Sequence, residues 1–127
     1  MRRAASLAFL VMAVALIVGG GLALAVTRTG TNWGETLYGT PRADTIRAYG
    51  GDDLVRALGG NDRIYGGKGK DRLYGGYGND HIVSRDLNSR GIGQRDVVDC
   101  GPGYDTAAVD FDDLRVVNCE GGSASGF

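Results

Sequence analysis

The sequence is poor in the residues that most often build catalytic and redox sites. It has one histidine and two cysteines among 127 residues, and the cysteines, Cys100 and Cys119, do not form a Cys-x-x-Cys motif. A histidine-based catalytic site and a redox-active dithiol are therefore disfavoured. The 14 basic and 15 acidic side chains give a net charge of −1. A nucleic-acid-binding protein typically has an excess of basic side chains. We expect neither an enzyme nor a nucleic-acid partner.

Glycine is abundant, with 23 copies in the chain. The glycines do not follow a Gly-X-Y period, which excludes a collagen triple helix. Glycine at this density then indicates either a disordered low-complexity chain or a repeat rich in tight turns. The positions of the glycines decide between the two.

The N-terminal segment has the pattern of an export signal. Arg2-Arg3 precede a charge-free stretch at positions 7–26, and the tripeptide Ala23-Leu24-Ala25 ends in small residues. This order predicts a signal peptide over residues 1–25. About 20 apolar residues can also span a bilayer, so a retained anchor is the alternative, and only then would the chain contact a membrane. Either way, we expect the rest of the chain to be secreted or extracellular.

Beyond this segment the chain repeats every nine residues. Each unit has an acid at its sixth position and an aliphatic residue at its eighth, and glycines cluster just before the acid. The acids are Glu35, Asp44, Asp53, Asp62, Asp71 and Asp80, and the aliphatic residues are Leu37, Ile46, Val55, Ile64, Leu73 and Ile82. Six units in one phase predict a repeat architecture.

Each unit is interpreted as a glycine-rich loop followed by a short strand. The last three positions alternate polar, aliphatic and polar, as in Arg63-Ile64-Tyr65, so one side chain of each strand points inward. Two units form one 18-residue coil, and coils stack at the interstrand spacing of about 4.8 Å. The predicted fold class is all-β: a parallel β-roll (β-solenoid) of nine-residue repeats over residues 26–83, with two repeats per coil.

Stacked coils would place the acids in two columns. Glu35, Asp53 and Asp71 line one edge, and Asp44, Asp62 and Asp80 line the other. Carboxylates at this spacing repel one another. Ca²⁺ between the loops would remove the repulsion, because it prefers carboxylate and carbonyl oxygens, and folding would then depend on the metal. The alternative is a metal-free β-solenoid in which the aspartates serve only as turn residues.

Residues 66–83, GGKGKDRLY-GGYGNDHIV, resemble the repeats-in-toxin (RTX) nonapeptide, Gly-Gly-x-Gly-x-Asp-x-aliphatic-x. The resemblance implies Ca²⁺ between consecutive loops of one edge, bound by position-six aspartates and loop carbonyls. It places ions between the loops ending at Asp62 and Asp80, and between those ending at Asp53 and Asp71. The candidate metal ligands are Asp44, Asp53, Asp62, Asp71, Asp80, Asp105, Gly51, Gly60, Gly66, Gly67, Gly69, Gly75, Gly76 and Gly78.

The two N-terminal loops depart from the RTX pattern. Trp33 and Arg42 stand where glycine belongs in loops 30–35 and 39–44, and Glu35 replaces aspartate. We expect these loops to be the weakest calcium sites. They resemble the capping coil that repeat proteins need at an end, and Trp33 is expected to cover the open end of the core.

The repeat phase breaks after Val83. We expect an inserted loop at 84–95, a C-terminal coil and cap at 96–120, and a disordered tail at 121–127. Val98, Ala107 and Val116 should point inward, and the acids Asp110, Asp112 and Asp113 should form a solvated turn. Cys100 and Cys119 are separated by one coil plus one residue, which brings them within reach of a disulfide that staples the last coil.

The outward strand positions form two tyrosine and arginine ladders. One comprises Tyr38, Arg56 and Tyr74, and the other Arg47, Tyr65 and Val83. These ladders serve either as packing between coils or as a binding surface. The sequence therefore predicts a secreted calcium-binding β-roll protein. The alternative is a calcium-dependent adhesion protein with a glycan or cell-surface partner.

Overall fold

The computed structural model describes residues 25–85, 94–110, 113 and 115–124. These residues form eleven short strands and no helix. The strands are β1 (Val26–Thr29), β2 (Thr36–Tyr38), β3 (Asp44–Arg47), β4 (Leu54–Arg56), β5 (Arg63–Tyr65), β6 (Arg72–Tyr74), β7 (His81–Val83), β8 (Val97–Asp99), β9 (Thr106–Val109), β10 (Arg115–Val117) and β11 (Gly121–Ala124).

The strands form two parallel sheets. A six-stranded sheet has the order β1-β3-β5-β7-β9-β11, and a five-stranded sheet has the order β10-β8-β6-β4-β2. Successive strands of the chain therefore alternate between the sheets, with a loop at each crossing. One strand and one loop make a repeat, and two repeats make a coil. The predicted parallel β-roll is confirmed.

The register between coils follows the repeat. In one sheet Ile46 pairs with Ile64 and Ile64 with Ile82, and in the other Val55 pairs with Leu73. The separation of paired positions is 18 residues within the repeats and 25 residues across the phase break. The longer separation agrees with an insertion between β7 and β8. Residues 86–93 of the inserted loop lie outside the described part of the chain.

The core is a narrow file of aliphatic side chains between the sheets. The inward residue of each central strand is fully buried, and two of the loops begin with a buried alanine. The fully buried apolar residues are Ile46, Ala48, Val55, Ala57, Ile64, Leu73, Ile82, Val98 and Cys100. The strand positions beside each inward residue point away from the core, and many of them carry arginine or tyrosine.

The N-terminal end of the core is closed by β1 and β2, and not by Trp33. The Trp33 side chain is 80% exposed, because it lies on a loop and not on a strand, so the prediction that it covers the core was wrong. Arg28 of β1 instead occupies the inward position next to Ile46, and Leu37 packs against the core. An inward charged side chain on an end strand opposes pairing with another chain.

The C-terminal end is closed by β10 and β11. Val116 pairs with Val98 as expected, but it is 40% exposed, because β10 ends its sheet and the β11 residue beside Ala107 is Gly122. The prediction of disorder from residue 121 was wrong for Gly121–Ala124, which pair with β9. Strand pairing uses backbone groups, which glycine also supplies, so composition alone did not indicate this strand. Residues 125–127 lie outside the described part of the chain.

The predicted disulfide is present. Cys100 and Cys119 are bonded, with their Cα atoms 5.3 Å apart. Cys100 is buried at the start of loop 100–105, so the bond ties this loop to the segment between β10 and β11. The signal-peptide prediction falls on residues 1–25, of which 1–24 lie outside the described part. Within the described residues, no helix has the length and hydrophobicity needed to cross a membrane.

Candidate metal centre

The loop acids stack in two columns, as the repeat predicted. Each acid donates its backbone N–H to the carboxylate of the acid one coil further along. Asp53 N–H bonds to Asp71 Oδ1 at 2.9 Å, and Asp62 N–H bonds to Asp80 Oδ1 at 2.8 Å. The columns contain Glu35, Asp53, Asp71, Asp96 and Asp113 on one edge, and Asp44, Asp62, Asp80, Asp105 and Glu120 on the other.

The second carboxylate oxygen of several column acids has no donor. The Oδ2 atoms of Asp53, Asp62, Asp80 and Asp105 are buried and accept no hydrogen bond from the described residues. The four side chains are at most 2% exposed. Burying a charged oxygen without a partner is costly. These atoms therefore mark positions where a positive charge would stabilise the fold.

Burial also shifts the acidity of these groups. Loss of solvent raises the pKa of Asp53 and Asp80 to about 6 and that of Asp62 to about 7. The negative charge of neighbouring acids in the same column contributes to each increase in pKa, whereas the backbone N–H bonds oppose it. Burial likewise raises the pKa of Asp105. Without a cation, these aspartates therefore take up protons at a higher pH than ordinary carboxylates do.

Five loops share one backbone conformation, with positive φ at positions two and four. At position two, Tyr49 (φ 71°) and Leu58 (φ 77°) adopt the conformation of Gly67 (φ 82°) and Gly76 (φ 87°). At position four all five residues are glycines: Gly51, Gly60, Gly69, Gly78 and Gly103. The non-glycine residues in loops 48–53 and 57–62 thus leave the RTX-like backbone unchanged, although positive φ is uncommon for tyrosine and leucine.

Glycine at these positions allows loop carbonyls to approach closely. A Cβ atom on Gly78 would overlap the carbonyl oxygen of Gly60. A Cβ on Gly75 would lie 2.5 Å from the carbonyl oxygen of Cys100 and 2.6 Å from Asp80 Oδ2. Carbonyl and carboxylate oxygens therefore share the same narrow space along each edge. Such an all-oxygen donor set suits a hard cation such as Ca²⁺.

Side chains alone do not complete a metal site. Within the described residues, no three histidine, cysteine, aspartate or glutamate side chains lie close enough together to bind a metal ion. An ion in these columns would need backbone carbonyls among its ligands, and the glycine loops supply them. The residues present therefore fit calcium, with carboxylates and carbonyls as joint ligands.

Comparison with known families agrees with this chemistry. Residues 29–64 and 56–86 match the family described as RTX calcium-binding nonapeptide repeat (4 copies). The chain contains RTX repeats. This match confirms the resemblance found in the sequence. RTX nonapeptide repeats bind Ca²⁺, so the match also confirms the metal expected from the sequence. Neither a curated protein nor a solved structure matches the chain.

The acid columns continue beyond the matched RTX repeats. Asp96 and Asp105 resume the nine-residue phase after the insertion, and both are fully buried. Asp105 follows the glycines of loop 100–105, which has the same backbone conformation as the RTX loops. The return of the period at Asp96 was the signal in the sequence. Asp113 and Glu120 end the columns out of phase, so the repeat did not indicate them.

The prediction of a solvated turn at Asp110, Asp112 and Asp113 was wrong for two of these acids. Asp110 is 2% exposed. Asp113 accepts hydrogen bonds from Ser84 Oγ at 2.8 Å and from the N–H groups of Asp96 and Asp110. Burial raises the pKa of Asp113. Asp113 thus packs against the last coil and completes its column of acids. Asp112 lies outside the described residues.

The tyrosine and arginine ladders stack in register, as predicted. Tyr38, Arg56 and Tyr74 are consecutive partners on one sheet, and Arg47 pairs with Tyr65 on the other. The guanidinium carbon of Arg47 lies 5.3 Å from the Tyr65 ring centroid, and that of Arg56 lies 5.6 Å from the Tyr74 centroid. These cation–π contacts join successive coils. Part of each ladder therefore serves packing.

Proposed function

We propose that this chain is an exported β-roll whose folding is coupled to calcium binding between its stacked loops. The observation that carries the proposal is the set of buried Oδ2 atoms of Asp53, Asp62 and Asp80, which accept no hydrogen bond from the part of the chain that the structure describes. Asp80 Oδ2 also borders the space at Gly75 that the Cys100 carbonyl oxygen lines. Bound calcium supplies positive charge beside the stacked carboxylates. Without it, these aspartates must be buried as anions or protonated, and both alternatives disfavour the fold near neutral pH.

The proposed ligands are the position-six aspartates and the loop carbonyls of the repeats. Asp44 differs from Asp53, Asp62, Asp80 and Asp105, because both of its oxygens already accept hydrogen bonds from the protein. The proposed set is therefore Asp53, Asp62, Asp71, Asp80 and Asp105 with the carbonyls of Gly51, Gly60, Gly66, Gly67, Gly69, Gly75, Gly76 and Gly78.

Export places the roll where calcium is available. The charge-free stretch at 7–26 and the Cys100–Cys119 disulfide both support an extracellular location. Extracellular calcium modules bind with dissociation constants of about 10⁻⁴–10⁻³ M. We expect this range here, so that the chain stays unfolded at the low calcium concentration of the cytoplasm and folds after export.

A calcium titration followed by circular dichroism tests the coupling. In chelator the mature chain should lack β structure and gain it on addition of calcium. Asp53→Asn should raise the calcium midpoint, because the amide can still accept the Glu35 N–H but cannot supply a second anionic oxygen. Equal β content in excess chelator and in calcium would contradict the proposal.

Asp52→Asn is the matched control. Asp52 is adjacent, exposed and outside the columns, and its Oδ1 accepts the Lys70 N–H at 2.9 Å, which asparagine also does. The two variants remove the same charge from neighbouring positions. A midpoint raised equally by both would indicate a general charge effect and not a ligand at Asp53.

We propose a structural and not a catalytic role for the folded roll. His81, the single histidine, has its Nδ1 2.8 Å from the hydroxyl of Thr106, and this contact between coils accounts for the imidazole. The alternative function, calcium-dependent adhesion, is favoured by the exposure of Tyr38 (53%) at the end of its ladder. Retention of the chain on glycan or cell-wall material in calcium, and its release by chelator, would support adhesion.

A further inference from the structure

The two N-terminal loops have a different backbone from the other loops. Among the described non-glycine residues, only Tyr49, Leu58 and Asn118 have positive φ. Thr31 and Trp33 of loop 30–35 and Thr40 and Arg42 of loop 39–44 therefore lack the left-handed pair of positions two and four. The two N-terminal loops therefore do not have the arrangement of carbonyl groups that the five glycine loops share.

Each N-terminal loop instead has a threonine at position two that bonds to the acid four residues later. Thr40 donates its backbone N–H and its hydroxyl (3.0 Å) to Asp44 Oδ2. The hydroxyl of Thr40 also accepts the Arg42 N–H at 3.2 Å, which closes the loop locally. Thr31 makes similar contacts: its N–H and its hydroxyl donate to the two carboxylate oxygens of Glu35, and its hydroxyl accepts the Trp33 N–H at 3.1 Å.

These contacts change the state of the column acid. Asp44 is buried to the same degree as Asp53, Asp62 and Asp80, which are all at most 2% exposed. Their Oδ2 atoms accept no hydrogen bond from the described residues, whereas Asp44 Oδ2 accepts two and its Oδ1 accepts the Val26 N–H. Hydrogen-bond donors from the protein thus occupy the place where the other acids need a cation.

We propose that Thr40 takes the place of a calcium ion at Asp44, so that the space between loops 39–44 and 57–62 closes without metal. This inference rests on the proposed calcium binding by the later loops. It makes the first coil a metal-independent end of the roll against which the calcium-dependent coils stack. The Gly59 N–H bonds to the Thr40 carbonyl at 3.3 Å and links the two parts.

Counting bound calcium by equilibrium dialysis at saturating calcium tests this inference. Asp44→Asn should bind as many ions as the wild-type chain, whereas Asp62→Asn should bind fewer. Loss of an ion in Asp44→Asn equal to that in Asp62→Asn would overturn the inference and leave the proposed function intact. A wild-type chain that binds no calcium would overturn the proposed function, and the inference with it.

A gain-of-site variant provides a second test. Thr40→Gly combined with Arg42→Gly converts loop 39–44 into Gly-Gly-Pro-Gly-Ala-Asp, the RTX loop pattern, and removes the threonine donor. This variant should bind one more ion than the wild type, and adding Asp44→Asn should abolish that gain. A folded variant with an unchanged ion count would overturn the inference. If the variant does not fold, the comparison of Asp44→Asn with Asp62→Asn decides.

Discussion

Gly78→Ala should destabilise the roll strongly, even when calcium is saturating. Gly78 has φ of 106° and lies under the carbonyl oxygen of Gly60 in the neighbouring coil. A left-handed conformation costs a residue with a Cβ roughly 1–2 kcal/mol. The methyl group would also push the loops apart and weaken the Tyr77 N–H bond to the Leu58 carbonyl (2.8 Å), whose net contribution is about 1 kcal/mol. We expect a loss of at least about 2–3 kcal/mol.

Gly59→Ala is the matched control. Gly59 lies in the preceding loop of the same edge, and its φ is outside the left-handed region. A Cβ there would meet its nearest neighbour, the Cα of Pro41, at 3.4 Å, which is ordinary contact. Replacing glycine by alanine at a compatible position reduces the entropy of the unfolded chain and stabilises by about 0.4–1 kcal/mol. The two variants should therefore shift stability in opposite directions.

Urea unfolding at about 10 mM calcium, well above the range typical of extracellular modules, provides the measurement. With a slope of about 1–3 kcal/mol per molar urea, Gly78→Ala should lower the unfolding midpoint by roughly 0.7–3 M. Gly59→Ala should leave the midpoint equal or slightly higher. A Gly78→Ala midpoint equal to that of the wild type would refute the argument that carbonyl approach, and not sequence composition, requires glycine in these loops.

Three further predictions concern pH, the disulfide and the sheet surface. The folded-state pKa of Asp62, about 7, lies above the ordinary aspartate value of 3.8, so protonation stabilises the metal-free roll. The β circular dichroism of the metal-free roll should therefore rise as pH falls from 8 to 4, and no change would argue against buried carboxylates. Reducing Cys100–Cys119 should lower the free energy of unfolding by about 3 kcal/mol in denaturant titrations; an unchanged value would show that the cap is stable without it. Arg56→Gln should cost about 0.5–1 kcal/mol through the lost contact with Tyr74, with Arg72→Gln as the equal-charge control in the same assay.

Much of the fold and of the candidate site follows from the nine-residue period alone. The period assigns one inward aliphatic residue and one acid to each unit, so parallel stacking at 18 residues brings Ile46 to Ile64 and Asp62 to Asp80 without further information. The carboxylates of the acids and the carbonyls of the glycine loops then predict a metal site made of oxygen ligands. The disulfide followed from the spacing of Cys100 and Cys119 against the same coil length.

Other features are not periodic, and only the tertiary structure decided them. Trp33 is exposed, and Arg28 of the end strand β1 occupies the end of the core. Which strand ends a sheet depends on which backbone edge remains unpaired, and the nine-residue period does not specify this. Asp113 ends an acid column, and its carboxylate accepts a hydrogen bond from the hydroxyl of Ser84, a contact between residues far apart in sequence. The saturation of Asp44 by Thr40 depends on hydrogen-bond geometry and loop φ angles, and the residue types alone do not specify these. The repeat therefore determines how coils stack, whereas tertiary contacts determine how the stack ends and which column acids already accept hydrogen bonds at both carboxylate oxygens.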